Sequence, residues 1–244
     1  MSRILTALAL CIIALLPVTG HANEASVRQA FLARFPGAPI ESISRMPVGG
    51  LYEVVISAPD GTDIAYTDDK VTFLVIGGRL VDLRGSTQRD LTSERLMQLT
   101  ARDLSKSQDG AIKRVKGNGK RILYTFEDPN CGYCKQLQKE LAKVNDVTIY
   151  TFLWPILSPD SLEKSKAIWC AKDRVRAWDD AMNRSVIPAA AGKECATPLD
   201  KNAQLARRFG IQGTPAIYLA NGAKVGRGYA TAEEIEQALN TPPR

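Results

Sequence analysis

Two cysteines separated by two residues, Cys131-Gly132-Tyr133-Cys134, stand where the hydrophobic pattern of the chain changes period. Residues 122–126 form an apolar run of the kind that fills a buried strand. From 131 to 144 the repeat is helical, with Tyr133, Leu137 and Leu141 four apart. The first cysteine therefore opens a helix, and the second lies one turn further in on the same face. At a helix start, unpaired amide groups and the helix dipole favour negative charge. Cys131 is thus predicted to be a thiolate near neutral pH, which is the attacking form of a cysteine. Cys134 is placed to attack a mixed disulfide on Cys131 and release a stalled substrate. Gly132 lets a partner backbone come close, and Tyr133 adds an apolar rim. Lys135 reads as a solvated surface residue.

The same cysteine spacing also serves zinc and iron–sulfur sites, and composition decides among these uses. Arg3 precedes an almost unbroken apolar run, 4–18, and small residues, Gly20 and Ala22, stand at the −3 and −1 positions of a cleavage site. This is the layout of a cleavable signal peptide over 1–22, with an apolar run short for a membrane span. The only histidine, His21, falls inside it. An exported chain without histidine has no Ser-His-Asp or Cys-His catalysis and no histidine metal site. Zinc would need all four remaining cysteines, Cys131, Cys134, Cys170 and Cys195, drawn from separate elements. No metal and no cofactor is expected. With Cys11 inside the expected signal peptide, the exported part keeps four cysteines, an even number that suits an oxidising compartment and permits three pairings. A 131–134 pair closes a tiny loop. A 170–195 pair would close a loop of 26 residues and contribute roughly 3.5 kcal/mol through chain entropy. A small loop for chemistry and a larger one for stability is the most economical division. The net charge of +6 is spread among intermixed acids and bases, with no aromatic-studded basic run, so nucleic acid is not an expected partner.

Elsewhere the pattern predicts two units and a connector. Val27, Phe31 and Phe35 mark a short helix over 24–35. Strands are expected at 51–57, 62–67, 71–76 and 79–83, with hairpin turns at Asp60-Gly61 and Gly77-Gly78. This 23–86 unit is thin, and an exposed edge or apolar face on it would favour self-association. A linker helix follows within 87–107, capped by Thr92 or Ser93. The rest, 108–244, is strand, helix, strand, inserted helices, strand, strand, helix. The basic stretch 113–121, broken by Gly117 and Gly119, reads as a solvated hairpin. Pro159 and Pro198 are expected at first-turn positions of helices, and Thr231 with Glu234 as a capping box.

Strand, C-x-x-C and helix in that order resemble the thioredoxin arrangement. In that fold a buried acid stands six residues before the first cysteine. That position is Thr125 here, and the nearby Glu127 and Asp128 read as loop caps. Thr214-Pro215, just before a strand at 216–219, matches the cis-proline loop that faces the active sulfur, where Thr214 can touch Cys131 and its backbone can pair with an extended substrate.

The motifs Phe126…Cys131-Gly-Tyr-Cys134, Lys166-Ala-Ile-Trp-Cys-Ala-Lys-Asp173, Trp178-Asp-Asp180 and Gly213-Thr-Pro-Ala216 resemble the DsbC/DsbG family of periplasmic disulfide isomerases, over the whole exported chain. Gly132 and Thr214 favour the DsbC branch. The stretch 184–196 departs from the usual pattern in being longer. The resemblance implies an α+β, cystatin-like N-terminal dimerisation domain, a linker helix, and an α/β thioredoxin-like domain with a helical insertion. It implies a V-shaped homodimer acting on misfolded, disulfide-containing exported proteins and kept reduced by a DsbD-like membrane reductase. It also implies a structural disulfide between Cys170 and Cys195. A DsbG-like chaperone or thiol-protecting reductase, and a disulfide oxidase, are the competing activities.

Overall fold

The computed structural model describes residues 23–58, 61–189 and 195–241. The expected signal peptide, residue 60 of the first expected turn, and part of the long stretch before Cys195 lie outside them. Helix α1 (Glu24–Arg34) begins at Asn23, whose side chain accepts the Ser26 amide at 2.8 Å. It buries Val27 and Phe31 on a four-stranded antiparallel sheet, ordered β1 (Ile40–Arg45), β2 (Tyr52–Ala58), β3 (Gly61–Thr67) and β4 (Val75–Ile76). Ile43, Tyr52, Val54, Ala65 and Val71 complete that core.

Strand β1 has no counterpart in the sequence reading. Its pairing shifts register between Ile40 and Ser42, which breaks the strict alternation that marks a strand. Only the last two residues of the 71–76 run pair, because Val71 takes a left-handed conformation and Asp68 binds the Thr72 amide and hydroxyl in a turn. Gly77-Gly78 does not join a hairpin. Strand β5 (Val81–Asp82) pairs instead with β6 (Arg89–Asp90) in a separate ribbon, leaving Val75 and Ile76 exposed.

Helix α2 (Leu91–Lys106) is capped by Asp90, which accepts the Ser93 amide at 3.0 Å. Thr92, an expected cap, turns inward and bonds to the Tyr66 hydroxyl at 2.6 Å and the Leu80 amide at 2.8 Å. Leu99 of α2 closes the second face of the N-terminal sheet over Val55, Ile64 and Tyr66.

The larger unit is built on a mixed sheet in the order β10 (Ala216–Leu219), β8 (Arg121–Glu127), β9 (Val147–Leu153), β7 (Ile112–Lys116). The central pair β8 and β9 is parallel, joined by α3 (Gly132–Leu141); both outer strands are antiparallel to it. The 113–121 stretch is therefore not a hairpin: β7 pairs with β9 and the chain steps across to β8. A Cβ on Gly117 would collide with Asp146, whose carboxylate receives the Asn118 amide in that crossing.

On one face, α3 and α7 (Ala232–Asn240) pack Leu137, Leu141 and Ile235 against Leu123, Ile149 and Ile217. On the other, α6 (Leu199–Arg208) brings Leu205 and Ala206 to Tyr124, Phe126, Phe152 and Tyr218. Helices α4 (Pro159–Cys170) and α5 (Arg174–Arg184) form the insertion, whose Ile168, Trp169 and Trp178 pack around Cys131 and Cys134. A disulfide joins Cys170 at the end of α4 to Cys195. Ser158 caps α4 with Pro159 in the first turn, and Thr231 with Glu234 makes a reciprocal capping box on α7. Pro198 differs from the sequence reading: it is itself the residue preceding α6, with no side-chain cap.

The two units meet along α2. Glu41 of β1 pairs with Arg102 of α2 and Arg208 of α6, and Asp103 pairs with the same two guanidinium groups. Gly222, in the turn after β10, lies so close to α2 that a Cβ there would overlap the Met97 carbonyl. Its positive φ of 82° adds backbone strain for any other residue. Gly222→Ala is expected to lower stability by about 2 kcal/mol or more, read as a fall in thermal midpoint with faster proteolysis near α2. An unchanged midpoint would show that α2 is not seated on this turn.

Candidate active site

The site is assembled where β8 ends and α3 begins. Asp128 fixes the connection: its carboxylate accepts the Asn130 amide at 2.7 Å and the amides of Ile156 and Leu157 at 2.9 and 3.0 Å. This ties the loop before Cys131 to the segment leaving β9. The Asn130 side chain is held in turn by Ser158, Asp160, Ser161 and Lys164. Cys131 is thereby placed as the N-cap residue of α3, in an extended conformation, with its sulfur accepting the Cys134 amide at 3.1 Å.

The two sulfurs have opposite environments. Cys131 keeps 4% of its surface open, whereas Cys134 keeps none. The Cys131 thiol is held down to about 6, chiefly by a hydrogen bond from the Cys134 thiol, against an opposing penalty from burial. The Thr214 side chain and the amides of Cys134 and Tyr133 add to the lowering. Burial pushes Cys134 far up, and its role as donor to Cys131 pushes it further. Ionisation is therefore confined to the outer sulfur.

The Thr214–Pro215 bond is cis, and the Thr214 carbonyl lies 3.4 Å from the Cys131 sulfur as a hydrogen-bond acceptor. The Thr214 hydroxyl is buried with no hydrogen-bond partner. Gly132 faces open space, since nothing lies within 4 Å of where a Cβ would stand. Tyr133 is 64% exposed and stands beside the sulfur as a rim; it does not share the inward face with Leu137 and Leu141, which Cys134 and Gln138 complete. Lys135 reaches the Ser185 hydroxyl at 3.5 Å. Cys170 and Cys195 are bonded to each other, outside the pair of free thiols.

Asp128 is a loop cap, but Glu127 is not. Strand β8 runs one residue beyond its apolar stretch, so Glu127 lies on the same strand face as Thr125 and is fully buried. Gln138 of α3 donates to both its oxygens at 2.9 and 2.7 Å, and the Thr125 hydroxyl donates at 2.7 Å. Arg114 of β7 bonds the Gln138 oxygen at 2.6 Å and Thr151 at 3.2 Å. Burial pushes the Glu127 carboxyl up to about 7 in spite of the nearby Arg114 guanidinium, and its charge contributes to the rise at Cys134. Its period of two from Thr125 was the available sequence signal. Among the described residues, no group of three or more His, Cys, Asp or Glu side chains is arranged to hold a metal ion, and no helix is long and apolar enough to cross a membrane.

Residues 108–241 match the family model of a thioredoxin-like domain, and residues 18–93 match that of the disulfide bond isomerase protein N-terminal domain. The chain is 44% identical over 215 residues to the probable thiol:disulfide interchange protein DsbC of Bordetella pertussis, covering 88% of this chain and 73% of that one. It is 29% identical over 225 residues to the thiol:disulfide interchange protein DsbC of Escherichia coli K12, covering 90% and 89%. A crystal structure of a disulfide interchange protein from Neisseria gonorrhoeae aligns with a TM-score of 0.51 at 39% identity, over 55% of this chain and 95% of that one.

The raised Glu127 carboxyl has a consequence for stability. A group whose folded pKa lies above its unfolded value contributes fully below the unfolded value and loses that contribution as pH rises through the folded one. Between about pH 5 and about pH 8 the wild type should therefore lose stability relative to Glu127→Gln, measured by urea unfolding across that range. Parallel profiles would mean that Glu127 is already ionised against Arg114 throughout.

Proposed function

The chain belongs to the DsbC family of thiol:disulfide interchange proteins, and from that premise we propose how its own residues carry the activity. The protein is a periplasmic thiol–disulfide oxidoreductase acting as a disulfide isomerase and reductase. Cys131 is the nucleophile. The observation that carries this assignment is the hydrogen-bonded sulfur at the first turn of α3, slightly open to solvent and held down to about 6.

In the reaction the Cys131 thiolate attacks one sulfur of a client disulfide. A new S–S bond forms, the old one breaks, and the second client sulfur leaves as a thiolate. A client thiol can then displace Cys131, which isomerises the client and returns the thiolate. Alternatively Cys134 attacks Cys131, which releases a reduced client and leaves a Cys131–Cys134 disulfide. That route requires an external dithiol to regenerate the enzyme, the task of a DsbD-like membrane reductase. Cys134 must lose a proton to attack, and Glu127, poised near neutrality behind the α3 helix, receives it. The Thr214 backbone and Pro215 form the wall on which an extended client segment lies, with Gly132 leaving room and Tyr133 covering the edge. The Cys170–Cys195 disulfide staples the insertion that packs on the two active sulfurs.

The division proposed is 23–86, 87–107 and 108–244, supported by the position of α2 between the two sheets although β6 at its start pairs back to β5, with 1–22 as a signal peptide that directs the chain to the periplasm. A homodimer forms through the N-terminal unit, supported by the apolar side chains Phe73, Val75, Ile76, Val81 and Leu83 that lie exposed around its short edge strand. Clients are misfolded, disulfide-containing exported proteins.

Cys131→Ser is expected to abolish reshuffling of a scrambled disulfide substrate. Cys134→Ala should accumulate mixed disulfides with clients through Cys131, visible by non-reducing electrophoresis and mass spectrometry. Survival of reshuffling in Cys131→Ser would overturn the assignment.

A further inference from the structure

A groove of ≈450 Å³ lies between Tyr133, in the first turn of α3, and the Thr214–Pro215 loop, and its far wall is the segment after β10. Val225 is buried and its amide bonds the Ile217 carbonyl at 2.9 Å, which pins that segment to the sheet. Its neighbour Lys224 is turned outward into the groove, and a turn at Gly226, φ 61°, brings Arg227 to the same lining. Gly228 packs on the Pro215 carbonyl, where a Cβ would lie at 3.6 Å, so the cationic wall is held against the cis-proline loop. Tyr133 and Tyr229, both exposed, stand at its edges.

Two features make this wall selective. Neither Lys224 nor Arg227 has an ion pair or a side-chain hydrogen bond among the described residues, whereas most other arginines among those residues are matched to an acid. No acidic side chain lines the groove. Two unmatched cations and two tyrosine rings therefore flank the path a client backbone must take to bring its sulfur to Cys131.

We propose that this groove selects client disulfides flanked by acidic side chains, with Lys224 and Arg227 as the specificity-determining residues. The proposal rests on the thiol-exchange reading of Cys131. The exchange itself is unchanged: Cys131 sulfur bonds to the client cysteine, the client disulfide breaks, and the departing sulfur leaves as a thiolate. The two cations draw the anionic segment into register and speed that encounter, an effect that salt weakens.

The test uses the reduced full-length protein and two synthetic peptides, each carrying one cysteine disulfide-bonded to the same reporter thiol. One peptide has Asp and Glu beside its cysteine; the other has Lys and Arg. Hydroxyethyl disulfide serves as an uncharged control. At low salt the wild type should release reporter about tenfold faster from the acidic peptide than from the basic one. In the Lys224→Glu/Arg227→Glu variant the ratio should fall to unity or invert, with reaction on hydroxyethyl disulfide unaltered. A Lys139→Glu/Lys201→Glu variant carries the same change in net charge on exposed helical positions away from the groove and should keep the wild-type ratio. The proposal is overturned if the groove variant retains the wild-type preference, or if both charge-reversed variants lose it equally, because overall charge would then account for the effect. Normal reaction with hydroxyethyl disulfide in either case leaves the thiol-exchange reading standing. Failure of the wild type to react with any of the three disulfides would sink that reading and the groove with it.

Discussion

The Cys131 sulfur, stabilised by the Cys134 thiol and by the Cys134 amide across the first turn of α3, is the point from which the rest of the site takes its meaning. A thiol has little reason to ionise below neutral pH unless its anion is stabilised better than water would do it. Here the solvating groups are the free amides of a helix start and the thiol of the next turn, all fixed by the helix itself. Because the same turn buries Cys134 completely, the negative charge has one place to reside. The two sulfurs are thus distinguished by depth along one helix.

That turn stays in place because polar groups behind it are matched. Asp128 clamps the loop before Cys131 to the segment after β9. One strand position earlier, Glu127 meets Gln138 of the same helix, and Arg114 of β7 reaches Gln138 from the other side. These contacts join three strands and α3 through buried side chains, where an unmatched polar group would cost about 1–3 kcal/mol. The carboxyl therefore positions the helix, and burial lifts its pKa to about 7, the property on which its proposed part in the reaction of Cys134 rests.

What could be read from the residues was mostly local. The cysteine pair at a change of period, β9, the Ser158–Pro159 start of α4 and the Thr231–Glu234 capping box all depend on neighbours within a few positions, and each appears at its expected place. The failures share a different cause. Strand β1 is hidden by a bulge, and β6 is two residues that only their pairing with β5 defines. The partner of β7 is β9, a choice made by the packing of the whole sheet and invisible in the glycines of its connection. Glu127 looked like loop because the apolar run stops one residue before it. Its burial follows from Gln138 and Arg114, which reach it from two other elements, α3 and β7. Thr92 was available as a cap but is taken by Tyr66, so Asp90 does that work.

The most direct test of the account is the far-ultraviolet absorbance of the thiolate in the reduced protein, followed as a function of pH with Cys131→Ser as the blank. A single ionisation with a midpoint near pH 6, absent from the blank, is the predicted result. A midpoint near 9, the value of an ordinary thiol, would mean that the start of α3 does not hold an anion.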